Sequence, residues 1–186
     1  ISIVVPIYCE ESNLRLLIER LDVVIGALTE YDFEYVLVND GSNDGSWELI
    51  KKLASESSRI TGIDLSRNFG KEIALTAGVH QVKDSDAVVC IDADLQHPPE
   101  LIPQMVESWC DGAEVVVTIR LHTDKETFFR KVGSRLYYWF MSRASELSMI
   151  SQTTDYRLYD RKVVEAFCRV TEHGRIFRGI MDWMGF

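Results

Sequence analysis

A mostly parallel β-sheet flanked by helices, in one α/β domain, follows from three features of the chain. Short β-branched apolar runs recur, and each is answered by an amphipathic helical segment. The runs are apolar on both faces, as strands covered by helices on either side must be. Three of them end on acid. At 186 residues and 46% hydrophobic, the chain suits a single compact domain spanning 1–186.

Residues 1–7 read as a central strand. Glu10, Glu11, Ser12 and Asn13 then bring cap and dipole chemistry to a helix whose Leu14, Leu17, Ile18, Leu21, Ile25 and Leu28 share a stripe. Residues 33–39 repeat the strand pattern, 40–45 form a turn rich in Gly, Asp and Ser, and Trp47, Ile50 and Leu53 mark a second helix. A third strand at 60–65 passes through Arg67, Asn68 and Gly70 into a helix over 71–82, and 87–91 make a fourth strand. Right-handed β-α crossovers repeated in this way give a parallel sheet. Pro98 and Pro99 suit the first turn of a helix carried on by 101–109, and a strand follows at 114–118. Residues 128–144 read as an aromatic-rich helix, 156–159 as a short strand and 161–170 as a helix.

The net charge of -9 excludes a protein that wraps nucleic acid, which needs a basic footprint to displace counterions. One stretch departs from this average: Arg120, Lys125, Arg130, Lys131, Arg135 and Arg143 meet only Asp124 and Glu126, so it should face something anionic. The four cysteines are widely spaced and suggest neither a zinc site nor a disulfide framework. Cys90 lies inside an apolar run and Cys9 at the end of one, where thiols behave as small hydrophobes. No window reaches the roughly 18 apolar residues of a spanning helix, so the piece reads as soluble. It begins inside a strand pattern and stops after an aromatic run, which reads as an excised domain whose neighbours are missing.

In open α/β sheets ligands gather beyond the carboxyl ends of the strands. The first strand delivers Pro6, Tyr8 and Glu10 there, the second Asp40, and the fourth Asp92 and Asp94 followed by Gln96 and His97. Converging carboxylates repel one another unless a cation sits among them, and hard oxygen ligands suit Mg²⁺ or Mn²⁺. Asp92 and Asp94 are alternate residues of an extended segment and point the same way. An ion held by so few carboxylates completes its shell with phosphates, so the partner should carry a diphosphate. The Asp-x-Asp pair alone fits a capped loop entry equally well; its place at a strand end beside two other acidic ends favours function.

Five segments carry a resemblance: VVPIYCEE at 4–11, VNDGSNDGS at 38–46, LSRNFGKE at 65–72, DADLQHPPE at 92–100 and TDYRLYDR at 154–161. In this order and spacing the chain resembles the inverting glycosyltransferases of family 2, in the polyprenyl-phosphate branch with dolichyl-phosphate mannose synthase and the bactoprenol glucosyltransferases. The resemblance implies a GT-A-type, Rossmann-like domain. It implies that Pro6, Tyr8, Glu10 and Asp40 hold the base and ribose of a nucleotide sugar, and that Asp92, Asp94 and Gln96 surround the metal. Lys71 would approach the donor diphosphate, although by itself it reads nearly as well as a solvated surface lysine. Asp94 and Asp155 become the catalytic candidates, Asp155 at the position the wider family uses for a base, its role here left open. Arg120, Arg130 and Ser134 fall where related enzymes bind the acceptor phosphate. Arg130 and Ser134 stand one helical turn apart, and Arg can fork two phosphate oxygens.

The resemblance therefore implies transfer of a hexose from a nucleotide sugar, UDP-glucose before GDP-mannose, to a polyprenyl phosphate. The setting would be the cytoplasmic face of a membrane, the bacterial inner membrane first; oligomerisation is left open. Phe128, Phe129, Tyr137, Tyr138, Trp139 and Phe140 beside the basic cluster suit a membrane interface, and equally an aromatic core helix. Three rivals stand. A family 2 transferase acting on a saccharide hydroxyl would use Asp155 as base. An inactive nucleotide-sugar-binding module would keep the fold without turnover. A dinucleotide-dependent oxidoreductase would share the β-α pattern, but no G-x-G-x-x-G follows the first strand.

Overall fold

The computed structural model describes residues 1–82, 84–119, 153–170 and 177–186. Six strands form one sheet: β1 (Ser2–Ile7), β2 (Glu34–Asn39), β3 (Ile60–Asp64), β4 (Ala87–Cys90), β5 (Val115–Ile119) and β6 (Thr153–Asp160). Their order across the sheet is β3-β2-β1-β4-β6-β5. β1 pairs in parallel with β2 and β4, and β2 with β3; β6 runs antiparallel to both β4 and β5. The sheet is mostly parallel, as expected, with β6 alone reversed. The last strand is also longer than the four residues 156–159 expected, because its ladder with β5 extends back to Thr153.

Six α-helices lie among the described residues: α1 (Glu11–Ile25), α2 (Ser46–Glu56), α3 (Lys71–Gln81), α4 (Ile102–Cys110), α5 (Arg161–Arg169) and α6 (Phe177–Trp183). The aromatic helix expected over 128–144 lies outside the described residues. α1 ends at Ile25 rather than continuing to Leu28, which packs against the core from the turn that follows. Pro99 begins a single 3₁₀ turn (Pro99–Leu101) ahead of α4, whose own Pro103 sits in its first turn, where a missing N–H costs nothing.

Alternation along the strands sends side chains to two cores. Ile3, Val5 and Ile7 of β1 face Leu14, Leu17 and Leu21 of α1, Ile50 of α2, and Ile102 and Met105 of α4. Val4 of β1, Val38 of β2 and Val88 of β4 face Ala74 and Val79 of α3, Val163 and Phe167 of α5, and Phe177 and Ile180 of α6. The result is three layers, with every β1 residue buried. α3 seats closely because Gly78 has no side chain: a Cβ there would lie 2.4 Å from Val4 Cγ1. Cys90 is buried within β4, but Cys9 is exposed, with a left-handed backbone (φ 57°) and its thiol 3.1 Å from Asn43 Oδ1. The reason is that β1 stops at Ile7, so Cys9 belongs to the loop and not to the apolar run.

Candidate functional site

The loops that leave β1, β2, β3 and β4 are tied to one another, and the ties build a cavity at the carboxyl edge of the sheet. Beyond β1, the N–H groups of Cys9 and Glu10 donate to Ser42 Oγ and Ser46 Oγ, each at 3.0 Å, and Glu11 Oε2 accepts from Gly45 N–H at 2.9 Å. The loop after β2 is thereby stitched to the start of α1. Asp40, buried at the end of β2, accepts from Phe69 N–H at 2.7 Å with one oxygen and from Gly70 N–H at 2.9 Å with the other. This contact needs the next residue to be glycine. Gly41 has φ 65°, and a Cβ there would lie 2.3 Å from the Arg67 carbonyl carbon. Gly70, at φ 96°, then turns the chain into α3 and sets Lys71 at the first helical position.

The cavity encloses about 310 Å³ and is lined by Pro6, Ile7, Tyr8, Glu10, Asp40, Asn68, Gly70, Lys71, Asp92, Ala93 and Asp94. Every residue expected to hold the nucleotide sugar is among them: Pro6, Tyr8, Glu10, Asp40, Lys71 and Asp92. Tyr8 is about half exposed and stands at the rim rather than lying over the core. Glu10 Oε2 accepts from Asn13 Nδ2 at 2.7 Å, one turn into α1. Non-glycine residues with positive φ occur at Cys9 and Leu95 among the described residues, in the loops leaving the adjacent strands β1 and β4. Backbone held in a sparsely populated region is characteristic of functional sites.

Asp92 and Asp94 both line the cavity, as the Asp-x-Asp spacing predicts, but their partners differ. Asp94 Oδ1 accepts from Gln96 N–H at 3.0 Å and closes the turn around Leu95. Gln96 is exposed and lies outside the cavity lining. Asp92 has two nitrogen partners: Lys71 Nζ lies 2.6 Å from Oδ1 and His97 Nε2 lies 3.5 Å from Oδ2. Lys71 Nζ is also 2.6 Å from Asp155 Oδ2, so one ammonium bridges two carboxylates. Burial pushes the Asp92 carboxyl up, but His97 and Lys71 outweigh it and hold it below the ordinary range. Asp155 shows the same balance, burial overcome by Lys71 and Arg178. Burial disfavours the Lys71 ammonium, yet its two carboxylates raise its pKa in the net.

Asp92 and Asp94 offer hard oxygen donors in one cavity, which fits a Mg²⁺ or Mn²⁺ whose remaining positions are filled by phosphate oxygens. Among the described residues no three His, Cys, Asp or Glu side chains cluster so as to hold a metal ion by themselves. Arg120, Arg130 and Ser134, the expected acceptor-phosphate residues, lie outside the described residues. Two partners of the site's carboxylates went unassigned from the sequence. His97 stands in the quoted DADLQHPPE segment, five residues from Asp92, and could have been found there. Arg178, on α6, has no such signal, since only the packing of α6 brings it to Asp155.

Comparison with known proteins bears on the family and the fold. The glycosyl transferase family 2 model matches residues 2–168. An uncharacterized glycosyltransferase of Bacillus subtilis, YkcC, is 42% identical over 185 residues, covering 100% of this chain and 57% of its own length. The undecaprenyl-phosphate 4-deoxy-4-formamido-L-arabinose transferase of Yersinia enterocolitica is 40% identical over 173 residues, covering 92% of this chain and 52% of its own length. The chain thus spans about half the length of these curated relatives. Among solved structures, glucosyl-3-phosphoglycerate synthase from Mycobacterium tuberculosis, in complex with Mn²⁺, UDP and phosphoglyceric acid, superposes with a TM-score of 0.58 at 21% identity, over 87% of this chain and 56% of that one. That likeness is one of fold, and the fold is GT-A-like, as expected. With the family's pattern running from β1 into α5, the chain belongs to glycosyl transferase family 2.

Proposed function

We propose that this domain catalyses metal-dependent, inverting transfer of a hexose from a nucleoside-diphosphate sugar, UDP-glucose first and GDP-mannose second, to a polyprenyl phosphate. The observation that carries the reading is the cavity itself: Asp40, Lys71, Asp92 and Asp94 come together at the carboxyl edge of the sheet in a family 2 chain. Close relatives named as undecaprenyl-phosphate transferases support the choice of acceptor.

The donor's base and ribose would lie against Pro6, Tyr8 and Glu10. Asp40 contributes chiefly by fixing the Phe69–Gly70 backbone that forms the cavity wall. Asp92 and Asp94, with Gln96 beside them, would hold Mg²⁺ or Mn²⁺, which would supply charge neutralisation for the leaving diphosphate. Lys71 adds a second positive charge on the same side.

Asp155 bears on the choice of acceptor. A saccharide hydroxyl must lose a proton, and Asp155 would have to take it. Lys71 and Arg178 stabilise its ionised form, which makes it a weak proton acceptor. A phosphate monoester, with a second pKa of about 6, is largely dianionic at neutral pH and attacks without surrendering a proton. Asp155 then orients and keeps Lys71 in place. Arg120, Arg130 and Ser134 would receive the acceptor phosphate, their part resting on the sequence. Transfer would occur at the cytoplasmic face of a membrane, the bacterial inner membrane favoured. Among the described residues no helix is long and apolar enough to cross one.

Calorimetry with UDP and GDP in Mn²⁺ and in EDTA tests the donor side: equal affinity in both buffers for whichever nucleotide binds rejects the metal. A transfer assay with a short-chain polyprenyl phosphate tests the acceptor. Arg130→Ala should raise the lipid requirement about ten- to a hundredfold, the loss of one charge-assisted contact, and leave donor binding alone. Transfer to a saccharide without lipid phosphate would favour the hydroxyl reading, and no product with any donor the inactive module.

A further inference from the structure

β6 and α6 face each other with their charges exchanged. Asp155 and Arg157 are two residues apart on a strand and share a face; Arg178 and Asp182 are four apart on a helix and share a face. Arg157 Nη1 lies 2.6 Å from Asp182 Oδ1, and Arg178 Nη2 donates to Asp155 Oδ1. In the first pair Arg157 is sunk in the protein, 1% exposed with its Nε donating to Thr154 O at 3.0 Å, while Asp182 lies at the surface. The second opens toward the cavity side, where Asp155's other oxygen meets Lys71. Arg178 is tied a second time by its own N–H, which donates to Glu72 Oε2 at 3.3 Å. Lys71 and Glu72 are consecutive, so Lys71, Asp155, Arg178 and Glu72 close a ring across α3, β6 and α6.

We propose that Arg178 is a positioning residue for the transfer reaction: it fixes the Asp155 carboxylate against Lys71, and the Arg157–Asp182 pair sets the register of α6 that puts it there. This rests on the cavity being the transfer site. The two oxygens of Asp155 are each claimed by a different cation, which leaves the carboxylate one orientation. Lys71 is consequently shared between Asp155 and Asp92 rather than drawn to either. If Arg178 is removed, Asp155 turns toward Lys71 and pulls the ammonium away from Asp92, which lines the cavity.

Pinning the helix does not by itself call for Arg178. Phe177, Ile180 and Met181 already bury α6 against α3 and α5, and Arg157–Asp182 supplies a specific register. Arg178 Nε is buried without a hydrogen-bond partner among the described residues, which costs stability. What the residue provides at that cost is the orientation of Asp155.

The test compares the wild-type full chain with Arg178→Ala, Arg178→Lys and Asp182→Asn. Three readouts are taken: the carboxyl ¹³C titration of Asp155, the melting temperature, and kcat and donor KM with a short-chain polyprenyl phosphate and UDP-glucose or GDP-mannose. In Arg178→Ala the Asp155 midpoint should rise and kcat should fall about ten- to a hundredfold with donor KM nearly unchanged. Millimolar guanidinium should recover much of that kcat, and Arg178→Lys should retain most of it. Asp182→Asn should lower the melting temperature and lower kcat less than Arg178→Ala does, because the apolar seat of α6 still holds Arg178 near Asp155. If the Asp155 midpoint does not move in Arg178→Ala, the proposal is overturned. It is equally overturned if guanidinium recovers nothing and the kcat loss merely follows melting temperature across the variants. If the midpoint moves but wild type makes no product with any donor, the contact stands, and its role in transfer falls together with the transfer reading.

Discussion

β4 and β6 lie side by side, run in opposite directions, and both deliver carboxylates to the same edge of the sheet. β4 does so at its exit, where Asp92 and Asp94 follow Cys90; β6 does so at its entry, where Asp155 is its third residue. The register makes this inevitable: Cys90 pairs with Arg157, so the residues before Arg157 on β6 sit beside those after Cys90 on β4. The rule that ligands collect where strands end therefore finds only half of the site. Across an antiparallel pair the same edge is supplied by where the neighbour begins. Lys71, from the start of α3, joins the two halves by bridging Asp92 and Asp155.

The exit side should dominate chemistry. Asp94→Asn, which leaves a half-buried side chain of equal size, should cut turnover about a hundredfold or more, with circular dichroism melts near wild type. Normal turnover would remove Asp94 from the machinery and shift the weight of the site toward Asp155.

The entry side should dominate stability. Arg157→Ala deletes a side chain that is 1% exposed together with its bonds to Thr154 O and Asp182, which should cost about 2–4 kcal/mol in denaturant unfolding. A loss below about 1 kcal/mol, the size of an ordinary surface pair, would mean that β6 and α6 are held by packing alone.

A smaller effect tests the seat of α3, which carries Lys71 to both halves. Gly78→Ala puts a methyl against Val4 Cγ1 and Val38 Cγ2, and the overpacking, partly offset by better helix propensity, should cost about 1–2 kcal/mol. A stabilised variant would show that α3 can lift from the sheet without penalty.

The smallest expected effect is the most specific. Asp92 and Asp155 are held below the ordinary carboxylate range in the folded chain, so the unfolded chain binds more protons as the solution is acidified. Their stabilisation is present above about pH 4 and is lost as pH falls through the lowered folded values. Lys71→Met removes a shared cause of both shifts. Its melting temperature should trail wild type near neutrality, and the gap should close below about pH 4. A gap that stays constant with pH would show that the bridge contributes nothing through charge.

Much of this was legible before any coordinates. The continuous apolar run of β1 and the stripe of α1 are written in local sequence, because burial on two faces or on one demands apolar side chains at fixed positions. Pro6, Tyr8, Glu10, Asp40, Asp92 and Asp94 could be assigned to one edge because they stand at or just beyond strand ends in a parallel array, and Lys71 was added by the resemblance. The direction of β6 could not be read, since parallel and antiparallel strands share the same alternation. Asp40 looked like a ligand contact, and both of its oxygens prove to hold the Phe69 and Gly70 N–H groups, partners about thirty residues away. Cys9 looked apolar because it follows an apolar run, and its exposure depends on where the β1 ladder stops.

The amino-acid sequence by itself determined the family, the layered α/β plan and the acids at the strand ends, because periodicity and motif spacing are local properties of the chain. Tertiary structure decided which charges meet. Lys71 reaches residues 21 and 84 positions away, and Arg178 reaches Asp155 only because α6 packs under β6. Ion pairs between distant segments leave no periodic trace in sequence, since their geometry exists only once the apolar faces of the helices have found the sheet.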